Sequence, residues 1–319
     1  MGKIQSIAIG LLLAGALPLA AQRYETVPFG DFEHWTVRHI KESGVLGGEE
    51  RTLYVVGPDA VYDGERAYDY SKTIWASSNA YAKVSGIVKT SVNVVPEDGP
   101  TGRCAKLSTV LTSCKAAGIV EVNALATGAL YWGKIFEPIR GTKNPLANMD
   151  WGIPFTKRPA ALVLDYKAFL QASGTLTRAS SLRVTQLPGK DPCQVSLILQ
   201  HRWEDADGNI HAERVGTAFF RIGRSSSGWV KDHRIPVMYG DASRQPGFQS
   251  YMGLIQGKKS LYAVNSKGKR VPILEEGWAD ADAPVTHAIL QLSSGSCEEF
   301  VGEPGNTLWV DNIRMEYDR

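Results

Sequence analysis

The sequence predicts an all-β protein, an antiparallel β-sandwich, from three observations. Runs rich in β-branched and aromatic residues recur along the whole chain, and several alternate apolar and polar residues with period two. Gly and Pro, at 32 and 16 residues, fall between these runs, as at Gly57-Pro58, Gly99-Pro100, Pro188-Gly189 and Pro304-Gly305. Helical periodicity is weak throughout. Strands of this kind must bury one face, and packing two sheets face to face achieves it.

Before the first strand, "MGKIQSIAIGLLLAGALPLAAQ" has one positive charge at Lys3, an apolar stretch from Ile7 to Leu17, and small residues at Ala20 and Ala21. That order predicts a secretory signal peptide over residues 1–22, cut after Ala21 or Gln22. The stretch is shorter than the ~20 apolar residues a membrane span needs. No later segment is long and apolar enough to span either, so an exported protein is expected, periplasmic or at the cell surface. No repeat or low-complexity linker divides residues 23–319, which read as a single β-sandwich domain.

The strands follow in order: "RTLYVVG" (51–57), "AYAKVSGIV" (80–88), "CAKLSTVLT" (104–112), "GIVEVNALA" (118–126), "ALVLDYKAFL" (161–170), "QVSLILQHRW" (194–203), "AERVGTAFFRI" (212–222), "VTHAILQLSS" (285–294) and "LWVDNIRMEY" (308–317). Two hairpins stand out. Residues 194–220 turn at Asp207-Gly208-Asn209, and residues 262–274 turn at Lys267-Gly268, each supplying residues that tolerate positive φ. The Asp205-Ala206-Asp207-Gly208-Asn209 run resembles the start of a calcium loop, but its glycine comes two positions early and the closing Glu is missing, so a turn is expected.

Composition excludes several classes. Lys and Arg number 35 against 33 Asp and Glu, a net charge of +2 without long runs of one sign, which argues against nucleic acid as partner. No P-loop, nucleophile elbow, zinc-protease or dinucleotide fingerprint occurs. Cys104, Cys114, Cys193 and Cys297 match no zinc spacing; they allow three disulfide pairings, with Cys104–Cys114 a local candidate and buried free thiols the alternative.

Candidate chemistry rests on rings and carboxylates. Trp and Tyr rings stack on the apolar faces of sugars while their edges hold hydrogen bonds. "YDYSKTIWASSNAY" (68–81) and "LYWGK" (130–134) mix polar and aromatic residues with loop-like composition, so Trp75, Tyr81, Tyr131 and Trp132 are the candidate sugar-binding residues. Trp35, Trp203 and Trp309, in strand-like alternation, are expected in the core. Hydrolysis of a glycoside would need two facing carboxylates, about 5 Å apart or farther. Glu204, Asp205, Asp207, Glu275, Glu276, Asp280 and Asp282 are the candidates, and the pairs near turns are expected to lie in water with ordinary acidity.

"HWTVRHIKESGVLGGEERTLYVVG", "AYDYSKTIWASSNAYAKV", "WGIPFTKRPAALVLDYKA", "HRWEDADGNI", "WADADAPVTH" and "LWVDNIRMEY" resemble the bacterial putative carbohydrate metabolism domain family over about Phe29 to Tyr317. The resemblance implies a jelly-roll, galactose-binding-like sandwich in an exported glycan-utilisation protein. It lends no catalytic residues and no cofactor for chemistry. "GDFEHW" (30–35) and "VDN" (310–312) are also similar to the opening and closing strands of exported jelly-roll carbohydrate modules. That likeness implies a structural cation, commonly calcium, between Glu33 and Asp311, with an Asp-to-backbone hydrogen bond as the metal-free alternative. Three functions are thereby in view: binding of a polysaccharide or oligosaccharide, glycoside hydrolysis by a carboxylate pair, and adhesion to another protein.

Overall fold

The computed structural model describes residues 23–116, 120–141, 144–180 and 183–318. The expected signal peptide lies outside them. Eight strands make the frame: β1 (Gly102–Ser108), β2 (Ala129–Ile135), β3 (Ala161–Phe169), β4 (Cys193–Glu204), β5 (Ile210–Ile222), β6 (Val230–Pro236), β7 (His287–Ser293) and β8 (Thr307–Tyr317). One sheet runs β6-β3-β8-β1, continued by Val94–Gly99, and the other runs β2-β7-β4-β5. All these neighbours are antiparallel. The chain therefore changes sheet at each step except the β4–β5 hairpin, which is the connectivity of a jelly roll.

Alternation along β4 explains the two layers. Val195, Leu197 and Leu199 face inward with Leu290 and Leu292 of β7, and they meet Leu107, Leu162, Leu164, Leu308 and Val310 of the opposite sheet. The even positions point the other way. Ile198 joins Tyr131, Trp151, Ile210, Ala212 and Ile273 in a second cluster on the outer face of the larger sheet. Strand Arg270–Trp278 extends that sheet beside β5 in parallel, and Tyr262–Val264 extends it further.

Both expected hairpins form. Asp205 N–H donates to Asn209 O at 3.1 Å, and Gly208 takes φ +93°. The Asp205 carboxylate accepts the Gly208 and Asn209 amides at 2.8 Å, so it braces a turn. In the second hairpin Asn265 N–H donates to Lys269 O at 2.8 Å around Gly268, at φ +71°. Two expected runs divide. Residues 80–88 fold back at Ser85-Gly86 into Ala80–Val84 and Ile87–Ser91, and residues 104–112 break at Thr109 into β1 and Val110–Ala116, which belongs to another sheet.

β8 changes its inward parity midway. Leu308 and Val310 point into the core, then Asn312 adopts φ +52° and Ile313 and Met315 point inward instead. The β3–β8 register shifts across the same place, between Val163 and Asp165. Trp309, between the inward Leu308 and Val310, lies on the outer face of its sheet, half-buried, with Nε1 donating to Glu97 Oε1 at 3.1 Å and Lys167 Nζ 4.1 Å above the ring. It is not a core ring as expected. Trp203 is not one either, with 38 % of its surface exposed, whereas Trp35 is buried.

Cys104, Cys193 and Cys297 are free thiols. The side chain of Cys114 lies outside the described residues. Among the described residues no helix is long and apolar enough to cross a membrane.

Candidate functional site

A groove crosses the outer face of the larger sheet at the edge formed by β2. It consists of two adjoining hollows of about 470 and 400 Å³ that share Lys134, Asp150, Gly152 and Pro154. Its shape follows from close backbone packing. Strand Met149–Trp151 pairs with β2, placing Gly133 opposite Trp151. A Cβ on Gly133, at φ +144°, would run into the carbonyl of Asp150, so only glycine lets the two strands approach this closely.

The groove has two ends of different chemistry. Phe29, Tyr70, Ile74 and Pro154 give one end an apolar wall, while Arg202, Glu204 and His287 line the other. Asp150 Oδ1 accepts the Val264 amide at 3.1 Å. Glu204 accepts Ser266 N–H and Oγ–H at 2.8 and 2.6 Å; those bonds, the side-chain one first, hold its carboxyl below the usual range. Burial, and then the neighbouring Arg202 cation, lower His287 to about 4, so its imidazole is neutral at physiological pH.

The four expected sugar-stacking rings are elsewhere. Trp75, Tyr81, Tyr131 and Trp132 expose 0, 3, 0 and 2 % of their surface, which leaves no ring face for a sugar. Trp75 and Trp132 pair across adjacent strands and enter the sandwich core. Tyr131 stacks on Trp151 at 4.3 Å beneath the groove floor, and Tyr81 donates its hydroxyl to Glu65 O at 2.7 Å. Residues 70–74, a 3-10 turn and the loop that leads into the strand at Trp75, line the groove together with Gly133 and Lys134. Sequence reading missed Asp150, Arg202 and His287, which lie in strand-like runs and carry no local signature. Among the carboxylate candidates only Glu204 reaches the groove; Glu275 is buried against Arg214, its Oε2 accepting from Nη2 at 2.5 Å.

The expected cation position lies at the seam of first and last strands. Asp311 and Asp165 stand opposite each other across β8 and β3, both buried. Asp311 Oδ1 accepts the Asn312 amide at 2.8 Å, and Oδ2 is buried with no partner. Burial first, then the charges of Asp165, Glu33 and Asp31, raise Asp311 to about 6. Glu33 Oε1 accepts the Arg103 amide at 3.0 Å. The open oxygen of Asp311 is of the type a hard cation such as calcium takes. Among the described residues no three side chains of metal-ligating type converge there.

A family model described as "Putative carbohydrate metabolism domain" matches residues 32–238. Two solved structures are similar in part. One is described as a putative glycoside hydrolase from Bacteroides thetaiotaomicron VPI-5482, with 18 % identity, TM-score 0.47, and 86 % of this chain and 76 % of that one covered. The other is described as a putative glycoside hydrolase from Bacteroides vulgatus ATCC 8482, with 14 % identity, TM-score 0.40, and 92 % and 94 % covered. No curated protein matches the chain significantly.

Proposed function

Because the chain belongs to the putative carbohydrate metabolism domain family, we propose that it is an exported glycan-binding protein serving glycan use, one β-sandwich domain holding a polysaccharide or oligosaccharide in the outer groove. The observation that carries this reading is the groove itself. It is elongated, with an apolar wall at Phe29, Tyr70 and Ile74 and hydrogen-bonding groups at Lys134, Asp150 and His287, which is the mixture a sugar chain needs. A structural calcium at Glu33 and Asp311 belongs to the same proposal, supported by the partnerless Asp311 oxygen. Its role is to tie strands, since neither residue lines the groove.

Binding is favoured over hydrolysis by the state of Glu204. A general acid needs a raised pKa, and the Glu204 carboxyl is held low. The hydrolase reading keeps one observation in its favour: Asp150 and Glu204, far apart in sequence, line the same hollow. Both readings are tested by screening the mature protein on a glycan array and analysing products on every hit. Binding without new reducing ends, weakened by Lys134→Ala or Tyr70→Ala, is the expected result. Turnover abolished by Asp150→Asn would establish hydrolysis instead. An array with no hit would sink both.

A further inference from the structure

Among the described residues three arginines are buried, Arg38, Arg202 and Arg214, exposing 1, 9 and 0 % of their surface. Arg38 sits 2.8 Å from Glu137 Oε2, and Arg214 sits 2.5 Å from Glu275 Oε2. A buried cation is costly unless a carboxylate neutralises it, and these two are neutralised. Arg202 differs. Its Nη1 donates to Trp151 O at 2.9 Å and its Nε to Gln200 Oε1 at 2.7 Å, both neutral acceptors. Its Nη2 is buried with no partner. Among the described residues no carboxylate lies within ion-pair distance of it.

Arg202 lines the charged end of the groove, on the outward face of β4. Its Nη2 packs beside Gly152, where a Cβ would stand 2.8 Å from it, so glycine is what leaves room for the guanidinium at this wall of the groove. The nearby groups do not satisfy it. His287 is neutral, Glu204 is bonded to Ser266, and the two carboxylates that act on Arg202 only through space are engaged elsewhere, Asp150 Oδ1 by Val264 and Glu275 by Arg214. Burial lowers Arg202 to about 10, which still leaves it charged at neutral pH. Lys134, exposed at the junction of the hollows, adds a second positive charge facing the same space.

Resting on the glycan-binding reading, we propose that the groove selects an acidic glycan, whose carboxylate or sulfate group lies against Arg202 with Lys134 beside it. The fixed, preorganised guanidinium bonds an anionic substituent more strongly than it bonds the hydroxyls of a neutral sugar. The bound acid group would give Arg202 the counter-charge that Glu137 and Glu275 give the other two.

The test is an array of matched oligosaccharides carrying a uronate, a sulfate or neither, probed with the mature protein at low and at raised salt. Acidic members are expected to bind at least about tenfold more tightly than their neutral counterparts, the span of one charge-assisted hydrogen bond. Salt should weaken them, and either Arg202→Gln or Lys134→Ala should erase the preference. Lys134 is exposed, so its variant keeps the test valid if Arg202→Gln fails to fold. Uronate hits without sulfate hits identify a carboxylate, and the reverse a sulfate. Neutral hits of equal or greater affinity overturn the acidic preference while leaving glycan binding intact; an empty array overturns both.

Discussion

Trp75 and Trp132 meet edge to face, their ring centroids 6.2 Å apart and their planes at 71°, deep in the sandwich. Phe32 adds a third ring, 5.7 Å from Trp75, and Trp75 Nε1 donates to Pro28 O at 2.8 Å. These rings fasten the chain's opening segment to the larger sheet. Trp132→Ala should lower stability by ~3–5 kcal/mol, the usual cost of emptying a large aromatic site. Denaturant unfolding should show a lower midpoint with little change in slope. Trp203→Ala, at a ring 38 % exposed, should stay within ~1 kcal/mol of the parent.

Asp311 should make stability depend on pH in an unusual direction. Its folded pKa, about 6, stands above the ordinary 3.8, so the folded state holds this proton more tightly than the unfolded chain does. The stabilisation is complete below the ordinary value and disappears as pH rises through about 6. Asp311→Asn removes that loss. Melts of both proteins across this window should show the variant gaining on the parent as pH rises, and parallel curves would refute the assignment.

Calcium should act on the same residue. A divalent cation at Asp311 Oδ2 neutralises the crowded carboxylates and converts a cost into a tie. Added calcium is therefore expected to raise the parent's melting temperature near neutral pH, and to leave Asp311→Asn unmoved. Equal responses would place any calcium elsewhere.

Glu275 is the acceptor at the centre of a buried network. Its two oxygens take Arg214 Nε and Nη2, Gln200 Nε2 and the Ile255 amide, at 2.5–2.8 Å. Glu275→Gln leaves Arg214 buried without its counter-charge, and should cost ~3–5 kcal/mol. Replacing both partners with apolar residues should cost less than the single change, a comparison that thermal or urea unfolding can make.

Much of this was written in local patterns. Alternation along residues 194–203 and 285–294 predicted β4 and β7, and the turn chemistry of Gly208 and Gly268 predicted both hairpins. Of the phrases at residues 68–81 and 130–134, read as a place for stacking rings, residues 70–74 and 133–134 line the groove while the four named rings are buried. Alternation does not say which positions another strand or loop will cover, and here it was the rings that were covered. Trp75 and Trp132 went inward, and Ile74, Gly133 and Lys134 were left to the groove. In β8 alternation with Leu308 and Val310 put Trp309 outside, and the positive φ of Asn312 then switched the inward parity next to Asp311, which is buried opposite Asp165.

The sequence by itself determined an all-β chain with its hairpins and family, because strand periodicity, turn residues and characteristic phrases are short-range properties. Only the tertiary structure decided the site. Lys134, Asp150, Arg202 and His287 come from four separate strands or loops, and what each can do depends on neighbours far along the chain. Arg202 shows this most plainly. Its charge is a property of the residue, but its burial without a carboxylate follows from how β4, β7 and the Met149–Trp151 strand pack together.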